Sequence, residues 1–384
     1  MSIRFNEDQI QIRDLVRRIA KERVAPRADE IDRTAEYPQD MFDLLKELGL
    51  FTLPFPEKYG GSNSLVSACI AIEELGRVCY NTAYLLMTQW MPFLAIMTGG
   101  TEDQKARYLP GLAAGDLRGA FSTTEPQSGS DVAGIKTRAT PVIGGYSITG
   151  SKIWCTNSHI ADFVVVAAKT GDDDSTRGIN LYIVERGTKG FTVGRKEDKM
   201  GGRGIPSCPL FLDNVFVPEG NILGEMGKGF KKVMEAFNKS RPLIAARGVG
   251  LAQGAIDHAT EYIQQRVAFR QKISDFQGIR WMLADMVIQT EAARQLLYNA
   301  AAMVDAGAPS EVLAPISAIA KCFSSDTAMR VATDAVQMYG ASGISNDYPI
   351  NRYFRDAKLL QIIEGTNQIQ RNIIASHTLG RPTR

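Results

Sequence analysis

Apolar residues recur at helical spacing through the first part of the chain. Ile12, Leu15, Val16 and Ile19 fall on one helix face. A second run, Met41 to Leu48, stops at Gly49, a residue suited to a helix end. The segment GLFTLPFPEKYGGSNS that follows is turn-rich, with Pro54, Pro56 and the pair Gly60-Gly61. Two further apolar stretches, roughly 64–77 and 80–97, and the charged TEDQKARYLPGLAAGD close this part. Near residue 118 the pattern changes to short runs rich in β-branched residues: YSITGSKIWCT, FVVVAAKT, NLYIVE and PLFLDNVFVP. Gly, Asp, Asn and Pro clusters separate them. After about Glu225 the helical period returns. Val249, Ala252, Ile256, Ala259 and Ile263 hold one face, and Ser274 with Gln277 has the form of a capping box opening the next helix. Val312, Ile316, Ile319 and Phe323 mark a third helix and residues 350–375 a fourth. The pattern predicts a mostly helical chain around a central β domain. Helices occupy 1–117, an antiparallel, barrel-like β domain 118–225, and an antiparallel four-helix bundle 226–384.

Composition narrows the function classes. At 384 residues the chain is too long for one typical core. With 44% hydrophobic and 22% charged residues it reads as an ordinary soluble globular protein. Its 44 basic and 42 acidic residues leave a net charge of +2, so nothing argues for nucleic acid or an anionic membrane surface. An anionic ligand would need a local basic cluster. The cysteines, Cys69, Cys79, Cys155, Cys208 and Cys322, are odd in number and lack a CxxC pair, which favours a reducing compartment over a disulfide framework. His159, His258 and His377 stand at no metal-ligand spacing and are expected to be surface or hydrogen-bonded residues. GDDDSTRG at 171–178 lacks calcium-loop order and reads as a solvated turn. The N-terminus enters a charged amphipathic segment with no secretory signal core, and no stretch reaches membrane-span length. The expected location is the cytoplasm, or an organelle matrix if a transit peptide has been removed.

Four places could carry chemistry. The loop from Phe121 to Asp131 (FSTTEPQSGSD) is dense in hydroxyls and small residues, fit to present N–H and O–H groups to an anionic or heterocyclic ligand, or simply to cap a turn. Trp154, in KIWCTN, could be core or could stack on a planar cofactor. Arg266, with Phe269, Phe276 and Gln277 after it, could pair with a pyrophosphate or be solvated. Arg241 before Pro242 is likewise a helix-start arginine or a functional one. Glu364 stands between Ile362-Ile363 and Gly365. A carboxylate there would lose solvation and hold its proton more tightly, as a base working near neutral pH needs; it could also be a surface residue at a helix break. The string MGGRG at 200–204 lacks dinucleotide-fingerprint spacing and reads as a flexible connection.

Taken together and in order, TTEPQSGSD, GSKIWCTN, RPLIAARGVGLAQGAID, RVAFRQKISDFQGIRWMLADM, QMYGASGI and RYFRDAKLLQIIEGTNQIQ closely resemble the acyl-CoA dehydrogenase family, over essentially the whole chain. The resemblance implies FAD held non-covalently between the β domain and the C-terminal bundle. Phe121, Thr123 and Thr124 would line the flavin ring, Trp154 and Thr156 would cover its other side, and Ser130 would lie near the pyrophosphate and the substrate's pantetheine arm. Arg266, Phe269, Phe276 and Gln277, with Gln337 and Gly340, would reach the FAD of a neighbouring subunit, implying a homodimer or homotetramer. Thr366 and Gln368 would hold the adenosine end. Phe237, Arg241 and Gly365 would contact the acyl-CoA. Phe121 departs from the Tyr that many relatives carry, losing a hydroxyl but keeping the ring.

Glu364 would abstract the α-proton, flavin N5 would accept the β-hydride, and the thioester carbonyl would be held by the Glu364 N–H and the ribityl chain. The base of other branches falls here on Ser240, which cannot serve as a carboxylate. The implied product is a 2-enoyl-CoA from a short- or medium-chain, branched or cyclic acyl-CoA, in fatty acid or carboxylic acid degradation. An electron-transfer flavoprotein would reoxidise the cofactor. Oxidase or monooxygenase chemistry on the same fold is the alternative. Pocket depth is expected to depend on Thr82–Ile96, where Trp90, Met91 and Phe93 face either the acyl group or the core.

Overall fold

The computed structural model describes residues 5–171 and 175–380. Helices α1 (Glu7–Ile19), α2 (Ala28–Thr34), α3 (Gln39–Glu47), α4 (Leu65–Gly76), α5 (Tyr80–Gly99) and α6 (Glu102–Ala114) come first. Their starts are written in the sequence. Asn6 and Gln9 close a capping box on α1, and Thr101 and Gln104 close another on α6. The apolar runs that became α4 and α5 lack a polar stripe because neither helix has a solvent face of any width. Every residue of α4 is buried, as is most of α5.

Eight strands follow: β1 (Gly119–Ser122), β2 (Arg138–Val142), β3 (Gly145–Thr156), β4 (Phe163–Lys169), β5 (Ile179–Glu185), β6 (Phe191–Val193), β7 (Ser207–Pro218) and β8 (Ile222–Leu223). They form one sheet in the order β6-β7-β3-β2-β4-β5-β8, with β1 beside β4. The expected barrel-like β domain is found as this sheet, with one correction to the expected antiparallel pairing: β1 and β2 run parallel to β4. The long connection through the β2–β3 hairpin gives the chain room to return in the same direction. Strands β4 and β5 are buried on both faces. Phe163, Val165 and Ala167 point into the helical core, and Val164, Val166 and Ala168 into the sheet's own core. The sheet is therefore a wall shared by two apolar layers.

The C-terminal part contains α7 (Gly229–Gln265), a hairpin of β9 (Val267–Ala268) and β10 (Gln271–Lys272), then α8 (Gln277–Asp305), α9 (Ser310–Tyr339), α10 (Ala341–Ile344), α11 (Pro349–Leu360) and α12 (Asn367–Leu379). Three expectations change here. Arg241-Pro242 lies inside α7, not at a helix start. No side chain caps α8, because Ser274 is used in the preceding 3-10 turn Ile273–Asp275. The single helix expected over 350–375 is two, α11 and α12, broken around Glu364. The MGGRG segment is pinned, not flexible. Gly202 N–H donates to Asp356 at 2.7 Å, and a Cβ on Gly201 would meet the Arg355 carbonyl at 2.6 Å. Of the run 171–178, residues 172–174 lie outside the described residues; Thr176–Gly178 form a 3-10 turn. All five thiols are free and buried. Among the described residues no helix is long and apolar enough to cross a membrane.

Candidate active site

The break between α11 and α12 is held from several sides. Glu364 and Gly365 take left-handed backbone, φ 50° and 90°. That conformation is costly for a residue with a Cβ and persists only where neighbours over-determine it. Lys321 of α9 supplies one restraint: its Nζ donates to the Gly365 carbonyl at 2.8 Å and to Asn367 Oδ1 at 2.9 Å. Gln370 Nε2 donates to the same carbonyl at 3.0 Å. A Cβ on Gly365 would lie 2.6 Å from that Nε2, so glycine is required there by space as well as by φ.

The break turns the Glu364 side chain toward α7, where Ser240 Oγ donates to its Oε2 at 2.7 Å. Burial pushes the Glu364 carboxyl above the usual carboxylate range. The Arg247 charge, the Ser240 hydrogen bond and the charges of Lys321 and Arg241 pull it back without cancelling the rise. Burial also pushes Lys321 down to about 8 and Arg241 down to about 10.

The opposite wall is built from β1, the loop after it, and β3. Pairing between β3 and β7 slips between Lys152 and Cys155, and within that bulge Trp154 has φ 59°. The bulge re-aims the indole off the sheet, leaving Trp154 52% exposed. Ile153 N–H donates to the Thr124 carbonyl at 3.0 Å, tying the β1 loop to the bulge. Beneath the loop, Glu125 and Lys152 form a buried ion pair at 2.7 Å. Phe121 meets Phe237 of α7 edge-on at 5.9 Å, and Tyr84 of α5 reaches Thr156 at 3.4 Å. Phe121, Thr123, Thr124 and Thr156 stay partly accessible beside Trp154. An open indole face with three neighbouring hydroxyls suits a flat, hydrogen-bonding heterocycle.

Family models agree with this arrangement along the chain. Residues 6–116 match the acyl-CoA dehydrogenase N-terminal domain, 120–215 the middle domain and 227–379 the C-terminal domain. The chain belongs to the acyl-CoA dehydrogenase family. It is an FAD-dependent oxidoreductase, and the Trp154 wall fits that cofactor. It is 42% identical over 371 residues to the cyclohex-1-ene-1-carbonyl-CoA dehydrogenase of Geobacter metallireducens, covering 96% of this chain and 97% of the relative. It superposes with TM-score 0.95 and 39% identity on butyryl-CoA dehydrogenase from Megasphaera elsdenii, covering 99% of this chain and all of that one. A chain in the structure of the electron transferring flavoprotein of Acidaminococcus fermentans matches with TM-score 0.95 and 39% identity, covering 99% and 100%.

Other residues singled out in the sequence are placed differently. Arg266 is the C-cap of α7, and Arg266, Phe269, Gln277, Gln337, Gly340 and Gln368 face solvent on this chain. Phe276 is half-buried against Phe269. Ser130 is exposed. The Thr366 hydroxyl is occupied, accepting the Ile369 N–H as the N-cap of α12. Arg241 is buried and donates to Asn238 Oδ1 at 2.7 Å. Trp90 and Phe93 belong to the core. The indole donates to the Phe51 carbonyl at 2.8 Å and Phe93 stacks on Phe55. His159 is neither exposed nor, among the described residues, hydrogen-bonded: it packs edge-on against Tyr37, and burial pushes its pKa down to about 4.

Sequence reasoning missed Tyr84, Arg247, Lys321 and the Glu125–Lys152 pair. Arg247 alone left a usable signal, a single charge inside the small, apolar run PLIAARGVGLAQ. The others needed partners distant in the chain.

Proposed function

We propose that this protein dehydrogenates the α,β bond of a short- or medium-chain, branched or cyclic acyl-CoA to the 2-enoyl-CoA, with Glu364 as the base for the α-proton. The observation that carries this is the Glu364 environment: a half-buried carboxylate of raised proton affinity, held at short range by one hydroxyl. A base must be ionised before the reaction and hold a proton after it. Ser240 suits both states. It donates to the ionised carboxylate, and once a proton arrives its O–H can turn to the Phe237 carbonyl, 3.2 Å away, and accept from Glu364. Among the described residues nothing accepts from the Glu364 N–H, so it is available to the thioester carbonyl, where charge grows as the α-proton leaves.

Phe121, Thr123, Thr124, Trp154 and Thr156 would hold the flavin ring. FAD, when bound, supplies the acceptor for the hydride that leaves the β-carbon. Tyr84, in contact with Arg247 and Thr156, would fill space beside the flavin wall, which supports a compact acyl group, in keeping with two relatives named for butyryl-CoA and cyclohex-1-ene-1-carbonyl-CoA. Arg241, buried and bonded to Asn238, supports an electrostatic part better than direct contact with coenzyme A. The Acidaminococcus neighbour supports an electron-transfer flavoprotein as acceptor.

A second copy is supported by the β9–β10 hairpin. Its two turn residues, Phe269 and Arg270, both adopt positive φ, and Phe269 stands 91% exposed. Non-glycine residues in such a turn are strained, which is reasonable where the ring meets a neighbouring subunit.

The test is anaerobic, single-turnover bleaching of the FAD-loaded protein by an acyl-CoA panel. Glu364→Gln should retain FAD and lose a factor of about 10² to 10⁴ in rate. An unchanged rate would remove Glu364 from the role.

A further inference from the structure

Arg247 is the least satisfied charge near the site. It is fully buried, 0% exposed, on the same α7 face as Ser240 and two turns further on, about 10 Å along the axis. Its Nη1 donates to the Tyr80 hydroxyl at 3.1 Å. The guanidinium lies 5.2 Å from the Tyr80 ring centroid and 4.1 Å from that of Tyr84. Nε and Nη2 have no partner among the described residues. Aromatic faces stabilise a cation but do not neutralise it, and a buried charge without a counter-charge is costly.

Nearby cations differ. Lys152 is bonded to Glu125, Lys321 to two oxygens of the α11–α12 break, and Arg241 to Asn238. Among the described residues, Ser240 of α7 touches Glu364, and Arg241 and Arg247 of α7, Lys321 of α9 and Tyr80 of α5 act on it electrostatically. Only Arg247 among these cations lacks an oxygen acceptor other than a phenol.

We propose that Arg247 is a positioning residue for Glu364: a fixed positive charge, clamped by Tyr80 and Tyr84, that balances the carboxylate across the core and keeps it base-competent. The proposal rests on Glu364 being the base. Arginine suits the task because it stays charged at any working pH. Lys321, pushed down to about 8, loses its charge in the alkaline range.

The experiment follows single-turnover flavin reduction by butyryl-CoA from about pH 5.5 to 9 in FAD-loaded wild type, Arg247→Gln, Arg247→Met and Arg247→Lys, with Glu364→Gln alongside. Removing the positive charge should move the acid limb, set by ionisation of Glu364, upward by about one pH unit. That is a loss of about tenfold on the acid side, recovered as pH rises. Arg247→Lys should return the limb toward wild type, and the affinity for an unreactive acyl-CoA analogue should stay within about threefold. Using two neutral variants keeps the result readable if one fails to fold. An unmoved limb, an equal loss at every pH, or a lysine variant as impaired as the glutamine one would overturn the proposal. If Glu364→Gln bleaches at the wild-type rate, the base assignment itself falls, and Arg247 with it.

Discussion

Two glutamates stand on opposite walls of the same site, and their surroundings move their proton affinities in opposite directions. Glu125 is 3% exposed and saturated: it accepts from Lys152 Nζ at 2.7 Å and from the backbone N–H groups of Lys136 and Thr137 at 2.6 and 3.0 Å. Burial alone would raise its pKa, but the Lys152 charge and these hydrogen bonds win and hold it at about 2. It is permanently ionised and chemically inert. Glu364 has one hydroxyl donor at short range and its cations at a distance, so burial wins and its pKa rises. Burial is common to both. What separates the ion-paired carboxylate from the one proposed as the base is whether the counter-charge touches it.

That comparison can be broken most severely at Lys152. Lys152→Met leaves Glu125 buried without its ion and should cost about 3–5 kcal/mol of stability, read by urea or thermal unfolding. The double variant with Glu125→Gln should recover much of the loss, because no charge is then stranded. If Lys152→Met alone unfolds like wild type, the pair is not what anchors the β1 loop.

A smaller effect should appear with acid. Because the folded pKa of Glu125 is depressed, its contribution is fully present above the unfolded value near 4.5 and is lost as pH falls toward about 2. The shift corresponds to about 3 kcal/mol. Glu364 has the opposite sign: its raised folded pKa gives a contribution that is present at low pH and lost as pH rises through the folded value. Unfolding free energy measured between about pH 5 and 2 should therefore fall less steeply in Glu125→Gln than in wild type, and more steeply in Glu364→Gln.

The smallest change is Ser240→Ala. It removes the donor to ionised Glu364, so the acid limb of flavin reduction should rise by a fraction of a pH unit, a loss of about fivefold at low pH for about 1 kcal/mol of hydrogen bond. Ser240→Thr should restore it. A pH-independent loss would mean that Ser240 only fills space.

Most helix positions, the switch to strands near residue 118 and the return to helices were legible because periodicity is a local property of the chain, whereas the break near Glu364 was not, since distant residues hold it. Glu364 was legible as a carboxylate in an apolar neighbourhood beside a glycine, and the ordered motifs raised it above an ordinary surface residue. The sheet's parallel pairings were not legible, since strand direction depends on where a long connection returns. Nor was the inert state of Glu125. Its partner Lys152 stands on β3, and TTEPQSGSD by itself contains no cation.

The sequence alone determined most of the elements from spacing along the chain, the family from the resemblance of its ordered motifs, and which carboxylate stands among apolar neighbours. Only the tertiary structure decided how far each charge is balanced. It put Lys152 on Glu125, Ser240 on Glu364, and Arg247 between two tyrosines with no acidic partner among the described residues. The physical reason is that desolvation is felt by any buried group, whereas its compensation depends on contacts of a few ångströms between residues far apart in the chain.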